Sequence, residues 1–233
     1  MDARPKSPPS QPRGMVRHVR VVRGTPSRWL ERAIACLAAL ALAITLAACG
    51  RDVPRLPPLG ADAIVLAFGD SLTYGTGAKA SDSYPAALER LIGRRVTAAG
   101  VPGEVSAQGL ARLPAVLDQV RPQLLILCHG GNDLLRKLDT AALAGNLRAM
   151  VRVARDRGVP VVLVAVPKPG LFPSAHPVYT DVAEELGLPI EQKALAEILT
   201  DNELKSDPIH PNAQGYARFA ERVADLLRKA KAL

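Results

Sequence analysis

The sequence predicts an α/β protein built as a three-layer α/β/α sandwich, with about five parallel strands in the central sheet. Short, continuous apolar runs recur along residues 61–233, and such runs are typical of strands buried on both faces. Amphipathic helical patterns separate these runs, so strand and helix alternate along the chain. Right-handed crossovers between parallel strands then place helices on both faces of the sheet.

The elements follow in order from these two periodicities. The predicted strands are residues 63–68, 96–99, 124–128 and 159–166, with a weaker fifth strand near 188–190. The predicted helices are residues 84–91, 107–120, 140–157, 178–186 and 213–231. Gly158 is expected to end the third of these helices as a C-cap. About 170 residues from Ala61 onward are enough for one domain with a sizeable core.

Residues 1–48 predict a targeting segment with a long basic n-region. A polar, basic stretch is followed by an uncharged apolar run of about 14 residues and then by small residues, which is the pattern of a secretory signal. The run is shorter than the about 20 residues of a transmembrane span. The sequence Leu46-Ala47-Ala48-Cys49 resembles the bacterial lipobox, which implies lipidation of Cys49. An ordinary cleaved signal and an uncleaved anchor remain alternatives, and translation could begin at Met15 or later.

The predicted organisation has three parts: the signal (residues 1–48), Cys49 with a proline-rich tether (49–60), and one domain (61–233). Residues 1–48 carry a net charge of +6 out of +8, so the remainder carries only +2. The basic balance therefore belongs to targeting and does not indicate nucleic-acid binding. Cys128 is the only cysteine of residues 61–233, which excludes a disulfide within them, and it is expected to be a small core residue.

Three polar motifs are expected at the ends of three strands. Ser71 belongs to Gly69-Asp70-Ser71-Leu72, Asn132 to Gly130-Gly131-Asn132-Asp133, and His210 to Asp207-Pro208-Ile209-His210. An open α/β sheet binds ligands at the carboxyl ends of its strands, so one shared site is expected. A serine becomes a nucleophile only beside a base, and the His210 imidazole could be that base.

Spacing adds to this interpretation. Asp207 lies three residues before His210 and could orient its ring within one turn. The Asn132 amide and a backbone N–H of Gly103 could donate hydrogen bonds to an oxyanion. Each motif taken alone also fits an ordinary N-cap, turn or solvated loop.

Together, these motifs resemble the SGNH (GDSL) hydrolase family in kind, order and spacing, from Ala61 to the C-terminus. Gly103-Glu104 and residues 108–114 are most similar to the bacterial arylesterase, thioesterase I and lysophospholipase group. The resemblance implies a flavodoxin-like fold. It also implies catalysis without a metal or cofactor, on a small-molecule ester, thioester or lysophospholipid.

The resemblance assigns roles to the residues. It implies that Ser71 is the nucleophile, His210 the base and Asp207 the residue that orients it. The implied oxyanion hole consists of the Ser71 N–H, the Gly103 N–H and the Asn132 side chain.

The chain departs from the family pattern at two places. Ala98-Ala99-Gly100 stands where members often carry an asparagine, and Gly100 is a weaker rival to Gly103. Val105 stands where a threonine or serine often follows the acidic residue. These changes could alter hydrogen bonding beneath the oxyanion loop. Three leucines after Asn132 could either line an acyl pocket or begin the buried face of a helix: Leu134, Leu135 and Leu138.

The functional prediction is a serine esterase that is attached to the bacterial cell envelope by a lipid on Cys49. Gly50-Arg51 lacks the aspartate of the usual inner-membrane retention signal, which favours the outer membrane, with the domain facing the periplasm. The alternative within the same fold is a carbohydrate O-acetylesterase that acts on envelope glycans. A non-enzymatic lipoprotein that binds glycan or lipid is a third hypothesis, which a complete Ser-His-Asp set disfavours.

Overall fold

In the computed structural model, the described residues are Arg32, 53–168, Gly170 and 173–233. The predicted signal (apart from Arg32) and the lipidation site at Cys49 lie outside these residues. Within the described part of the chain, no helix combines the length and the apolar character needed to cross a membrane.

The described strands form one parallel sheet with the order β2-β1-β3-β4-β5. This is the flavodoxin-like order, in which the direction of winding changes between β1 and β3. A ligand crevice is expected at that switch point, outside the carboxyl ends of the two strands. The sheet therefore confirms the predicted fold class. The strands are β1 (Ile64–Gly69), β2 (Arg95–Gly100), β3 (Leu124–Cys128), β4 (Val161–Val164) and β5 (Ile190–Glu191).

Helices cover both faces of this sheet. The described helices are α1 (Ser71–Tyr74), α2 (Tyr84–Ile92), α3 (Ser106–Val120), α4 (Gly131–Leu135), α5 (Thr140–Arg155), α6 (Pro177–Leu186), α7 (Ala194–Thr200) and α8 (Ala213–Lys229). Helix α8 packs with α2 and α7, whereas α5 packs with α3 and α6, which gives the two outer layers. The core consists of the buried strands and the inward stripes of these helices, including Phe68, Leu127 and Phe219.

Several element boundaries differ from those predicted. Strand β4 is shorter than the predicted run 159–166, in part because Pro160 has no N–H to give to a strand ladder. Helices α4 and α7 were not predicted, because each is shorter than two full turns of clear periodicity. Gly158 adopts a positive φ of 72° and follows α5 after a turn, close to its expected place as a C-cap.

The described part of the predicted tether, residues 53–60, lies against the domain. The N–H groups of Leu56 and Leu59 donate to the carbonyls of Ala230 and Ala232, at 2.8 and 2.9 Å. The Leu59 side chain is buried in the hydrophobic core. The chain is thus bound to the domain several residues before β1 begins.

Candidate active site

Ser71 begins helix α1, immediately after β1 ends at Gly69. The buried Asp70 is the N-cap: its Oδ1 accepts the Leu72 N–H at 3.1 Å. Gly69 packs so closely on β3 that a Cβ there would collide with the carbonyl oxygen of Cys128. The strand, the tight passage at Gly69 and the capped turn together fix Ser71 at the carboxyl edge of the sheet.

Ser71, His210 and Asp207 form a continuous chain of hydrogen bonds. The Nε2 atom of His210 lies 3.0 Å from the Ser71 Oγ, and its Nδ1 lies 2.7 Å from an Asp207 carboxylate oxygen. The serine and the histidine are 139 residues apart in the sequence. The fold therefore brings together the three residues that the sequence motifs singled out. The loop with His210 follows helix α7, so the prediction that this motif lies at a strand end is wrong.

The second oxygen of Asp207 is held by the main chain. It accepts the N–H groups of Ile209 and His210 at 2.8 and 2.9 Å. Burial raises the pKa of Asp207, but the hydrogen bonds from the His210 ring and these N–H groups outweigh it, so the pKa lies below its usual value. The carboxylate is thus ionised and fixed in direction, as a group that orients an imidazole must be.

Asn132 lies in the short helix α4, directly after β3. Gly130, with a φ of 102°, makes the sharp entry to this helix, and a Cβ there would press into Leu143 and the Tyr179 hydroxyl. One amide hydrogen of Asn132 is donated to the carbonyl oxygen of Glu104 at 2.9 Å. The amide group carries a second hydrogen that remains for another acceptor.

The loop after β2 carries Gly103 in a left-handed conformation, with a φ of 78°. Its carbonyl accepts a hydrogen bond from Arg136 at 2.8 Å. Gly103 does not line the cavity beside Ser71. The carbonyl of the next residue, Glu104, accepts the Asn132 amide. Gly100, the rival position, ends β2 and packs tightly on the backbone of α1 at Tyr74, which is a structural role.

A cavity of about 320 Å³ opens beside Ser71 and His210. Most of its described wall is apolar, and it includes Leu72, Leu135, Val166, Leu199 and Ile209. The carboxyl ends of β1, β3 and β4 and the loop before α8 all contribute, as expected at a topological switch point.

The three leucines after Asn132 have different environments. Leu134 is buried in the core, whereas Leu135 lines the cavity. Leu138 is exposed and lines no part of the cavity. Leu134 therefore belongs to a buried helix face, and Leu135 belongs to the wall of the cavity.

Although Val105 has no hydroxyl group, the start of α3 still has hydrogen-bond partners. The Val105 N–H donates to the Gln108 side chain at 3.2 Å, and the Ser106 N–H donates to the Asp133 carboxylate at 2.8 Å. Asp133 thus accepts, from α4, the first N–H of α3, next to the N–H groups that a threonine or serine N-cap would bind.

The sequence analysis assigned no role of their own to His129 or Asp133, and it used Glu104 and Arg112 only as parts of a resemblance. The structure buries Glu104, His129 and Asp133 close to the site. Their signal in the sequence is weak, because a charged residue in a loop or on a helix is usually solvated. Within the described residues, no group of three or more His, Cys, Asp or Glu side chains is arranged to hold a metal ion.

Comparison with known proteins now decides the family. Residues 67–218 match the model of the GDSL-like lipase/acylhydrolase family. The chain belongs to this family. Esterase TesA of Pseudomonas aeruginosa is 31% identical over 70% of this chain and 87% of its own length. An arylesterase of Vibrio mimicus is 30% identical over 71% of this chain and 88% of its own length.

Solved structures agree with this GDSL assignment. The crystal structure of TesA superposes with a TM-score of 0.66 and 30% identity, covering 72% of this chain and 99% of that one. The protein is therefore an ester-hydrolysing enzyme of the serine hydrolase type, and the match extends over nearly the whole length of these relatives.

Proposed function

We propose that this GDSL hydrolase is a serine esterase in which Ser71 is the nucleophile, His210 the general base and Asp207 the residue that orients it. The supporting observation is the hydrogen-bonded chain of the three side chains, with 3.0 Å from Ser71 Oγ to His210 Nε2 and 2.7 Å from His210 Nδ1 to Asp207. The Asp207 contact fixes the ring proton on Nδ1 and leaves Nε2 as the acceptor.

In the proposed first half-reaction, Ser71 Oγ attacks the carbonyl carbon of the substrate while its proton passes to His210 Nε2. The resulting tetrahedral oxyanion collapses, the bond to the leaving alcohol or thiol breaks, and the leaving group takes the proton from His210. In the second half-reaction, water attacks the acyl-enzyme, and His210 again accepts and returns a proton. Asp207 stays ionised and stabilises the imidazolium in both steps.

The proposed oxyanion hole consists of the Ser71 N–H at the start of α1, the free amide hydrogen of Asn132 and the N–H of Gly103. Asn132 and Ser71 line the same cavity, which favours their joint action on one oxygen atom. Donors fixed in advance are effective here because charge develops on this oxygen only in the transition state.

The proposed substrates are carboxylic esters or thioesters with an apolar acyl or alcohol portion, such as aryl esters, acyl thioesters or lysophospholipids. The apolar wall of the cavity of about 320 Å³ supports this choice, because each methylene group of the substrate that is buried there contributes about 0.8 kcal/mol to binding. An O-acetylesterase of glycans would need little apolar volume for its acyl group and polar contacts for the sugar.

The test is a series of initial rates on nitrophenyl esters from acetyl to palmitoyl, with a lysophospholipid and acetylated sugars in parallel. We expect kcat/KM to rise from acetyl to intermediate chains, by at most about fourfold per methylene, until the cavity is filled. Activity confined to acetyl esters and dependent on the sugar would instead establish the O-acetylesterase. No hydrolysis of any ester would reject the proposal.

We also propose that a lipid on Cys49 anchors the protein in the cell envelope, at the outer membrane and facing the periplasm. This proposal is supported by the basic flank, the short apolar run and the sequence Leu46-Ala47-Ala48-Cys49.

A further inference from the structure

Glu104, Arg112 and His129 form a cluster of three polar side chains behind the loop that carries Gly103. Arg112 donates to both carboxylate oxygens of Glu104, from Nε at 2.9 Å and from Nη2 at 2.6 Å. His129 Nε2 lies 3.1 Å from one of these oxygens. Because His129 Nδ1 accepts the Gly130 N–H at 2.9 Å, the ring proton is on Nε2 and is donated to Glu104.

The cluster connects the ends of three adjacent strands. Arg112 Nη2 lies 3.4 Å from the carbonyl oxygen of Gly69, at the end of β1, and 3.3 Å from that of Ala99, near the end of β2. Its guanidinium stacks on the Phe68 ring at 4.1 Å. His129 directly follows β3. Arg112 therefore contacts the ends of β1 and β2, and His129 extends the cluster to the end of β3.

Glu104 is also bonded to the site through its main chain. Its carbonyl oxygen accepts the Asn132 amide at 2.9 Å, so one residue binds the buried cluster with its side chain and Asn132 with its backbone. Glu104 is 7% exposed and His129 is fully buried. A buried carboxylate requires such partners, and once they are present its position is fixed more narrowly than that of a solvated loop.

We propose that Glu104, Arg112 and His129 are positioning residues that set the location of the Asn132 amide and the Gly103 N–H for the oxyanion. This inference rests on the proposed function of Ser71 and extends it to residues that do not touch the substrate. Donors to an oxyanion must be held within about 0.5 Å of their productive place. Glu104 directly follows Gly103, and its side chain is joined to the strand ends through Arg112 and His129.

The main test is Arg112→Lys, which keeps the charge but loses the paired contact with Glu104 and the reach to the strand carbonyls. We expect kcat per active site to fall at least tenfold while KM stays within about threefold. Affinity for an alkyl boronic acid, which forms a tetrahedral anion on a serine, should fall in the same proportion. Glu104→Gln preserves side-chain size and should act in the same direction.

Arg157→Lys is the matched control. Arg157 pairs with Asp118 through Nε at 2.7 Å and Nη2 at 3.3 Å, the same type of two-point contact, but on the surface and away from the cavity. We expect its kcat to equal that of the wild type.

A double-mutant cycle separates positioning from general stability. If the cluster acts through Asn132, Arg112→Lys should cost at least fivefold less in the Asn132→Ala background than in the wild type. Thermal melts on the same samples report stability, and active-site titration with a fluorophosphonate counts the folded, competent molecules. A lowered melting temperature with kcat per titrated site unchanged, in both Arg112→Lys and Glu104→Gln, would overturn the positioning role.

The same measurements keep this inference distinct from the proposed function. If the wild type is not labelled by the fluorophosphonate, or if Ser71→Ala retains activity, the assignment of Ser71 itself fails. If the wild type is labelled and active and the cluster variants keep kcat within twofold, only the positioning inference fails.

Discussion

Asp133 accepts two hydrogen bonds from Ser106, one from the main-chain N–H at 2.8 Å and one from the hydroxyl at 2.6 Å. Asn132, the residue before it, holds the carbonyl of Glu104. Two consecutive residues of α4 therefore fix two positions of the segment that leads into α3. These positions are Glu104 in the loop and Ser106 at the start of the helix. Asn146 adds a third contact, donating to the Ser106 hydroxyl at 2.8 Å.

Replacing Asp133 by alanine should destabilise the protein, because the change leaves the buried N–H of Ser106 without an acceptor. We expect the free energy of unfolding to fall by about 1.5–3 kcal/mol, measured by urea denaturation. Asp139→Ala is the control: the side chain of this exposed N-cap of α5 accepts the Ala141 N–H at 2.9 Å, and its loss should cost about 1 kcal/mol. Equal losses in the two variants would contradict the structural role given to Asp133.

Ser71→Ala should leave a folded protein with almost no turnover. Loss of a triad nucleophile typically removes several orders of magnitude in kcat and leaves only the catalysis that binding and the oxyanion hole provide. The measurement is hydrolysis of a nitrophenyl ester, with a thermal melt to verify folding. More than about a tenth of wild-type activity would reject Ser71 as the nucleophile.

Asn132→Ala should lower kcat far more than it raises KM, because the proposed amide donates to a charge that exists only in the transition state. Loss of one such donor typically costs about 10²–10³ in kcat. The variant also loses the contact with the Glu104 carbonyl, so kcat is measured per site titrated with a fluorophosphonate. A decrease of less than about threefold would show that Asn132 is not an oxyanion donor.

Glu104→Gln should reduce stability in a way that depends on pH. Burial raises the pKa of Glu104, but the hydrogen bonds from Arg112 and His129 outweigh it and hold the pKa below its usual value. A carboxyl group with a lowered folded-state pKa stabilises the protein above its unfolded pKa and loses this contribution as pH falls through the folded value. The stability gap between wild type and variant should thus be constant from about pH 6 to 8 and shrink below about pH 4. Urea midpoints across this range provide the measurement, and a gap that widens in acid would contradict the assignment.

Cys49→Ser should abolish fatty-acid labelling and release the protein from the membrane fraction, while esterase activity is kept. The reason is that a lipobox cysteine is the acceptor of the lipid, and Cys49 is separated from Ser71 by the proline-rich segment. Cys36→Ser, within the predicted signal, is the control and should label as the wild type does. A Cys49→Ser protein that still labels and sediments with membranes would disprove the anchor.

The fold was predictable because its determinants are local in the sequence. Strands such as Leu124–Cys128 are continuous apolar runs, and α8 carries a clear amphipathic stripe, so each element could be recognised separately. The residues of the candidate site were also visible, because the motifs with Ser71, Asn132 and His210 together resemble one family, although each alone fits an ordinary turn. These patterns give the residues but not the distances between them.

The supporting residues were harder to recognise, because their environment arises only from tertiary packing. Arg112 has the appearance of an exposed helix residue, and nothing in the sequence indicates that Glu104, eight residues earlier, is its buried partner. Asp133 likewise fits an ordinary turn until Ser106 is seen beside it. Such pairs depend on how two loops meet, which periodicity does not describe.

The hydrogen bonds that join Leu56 and Leu59 to Ala230 and Ala232 determine where an N-terminal attachment meets the domain. Both contacts lie before β1, whereas Ser71 follows it, and the six residues of β1 span about 20 Å. Whatever is attached upstream of Leu56, whether a fatty acyl group, an affinity tag or a solid support, is therefore joined to the domain at the amino end of β1, whereas Ser71 lies beyond its carboxyl end. The attachment point and the nucleophile are thus separated by the length of one strand.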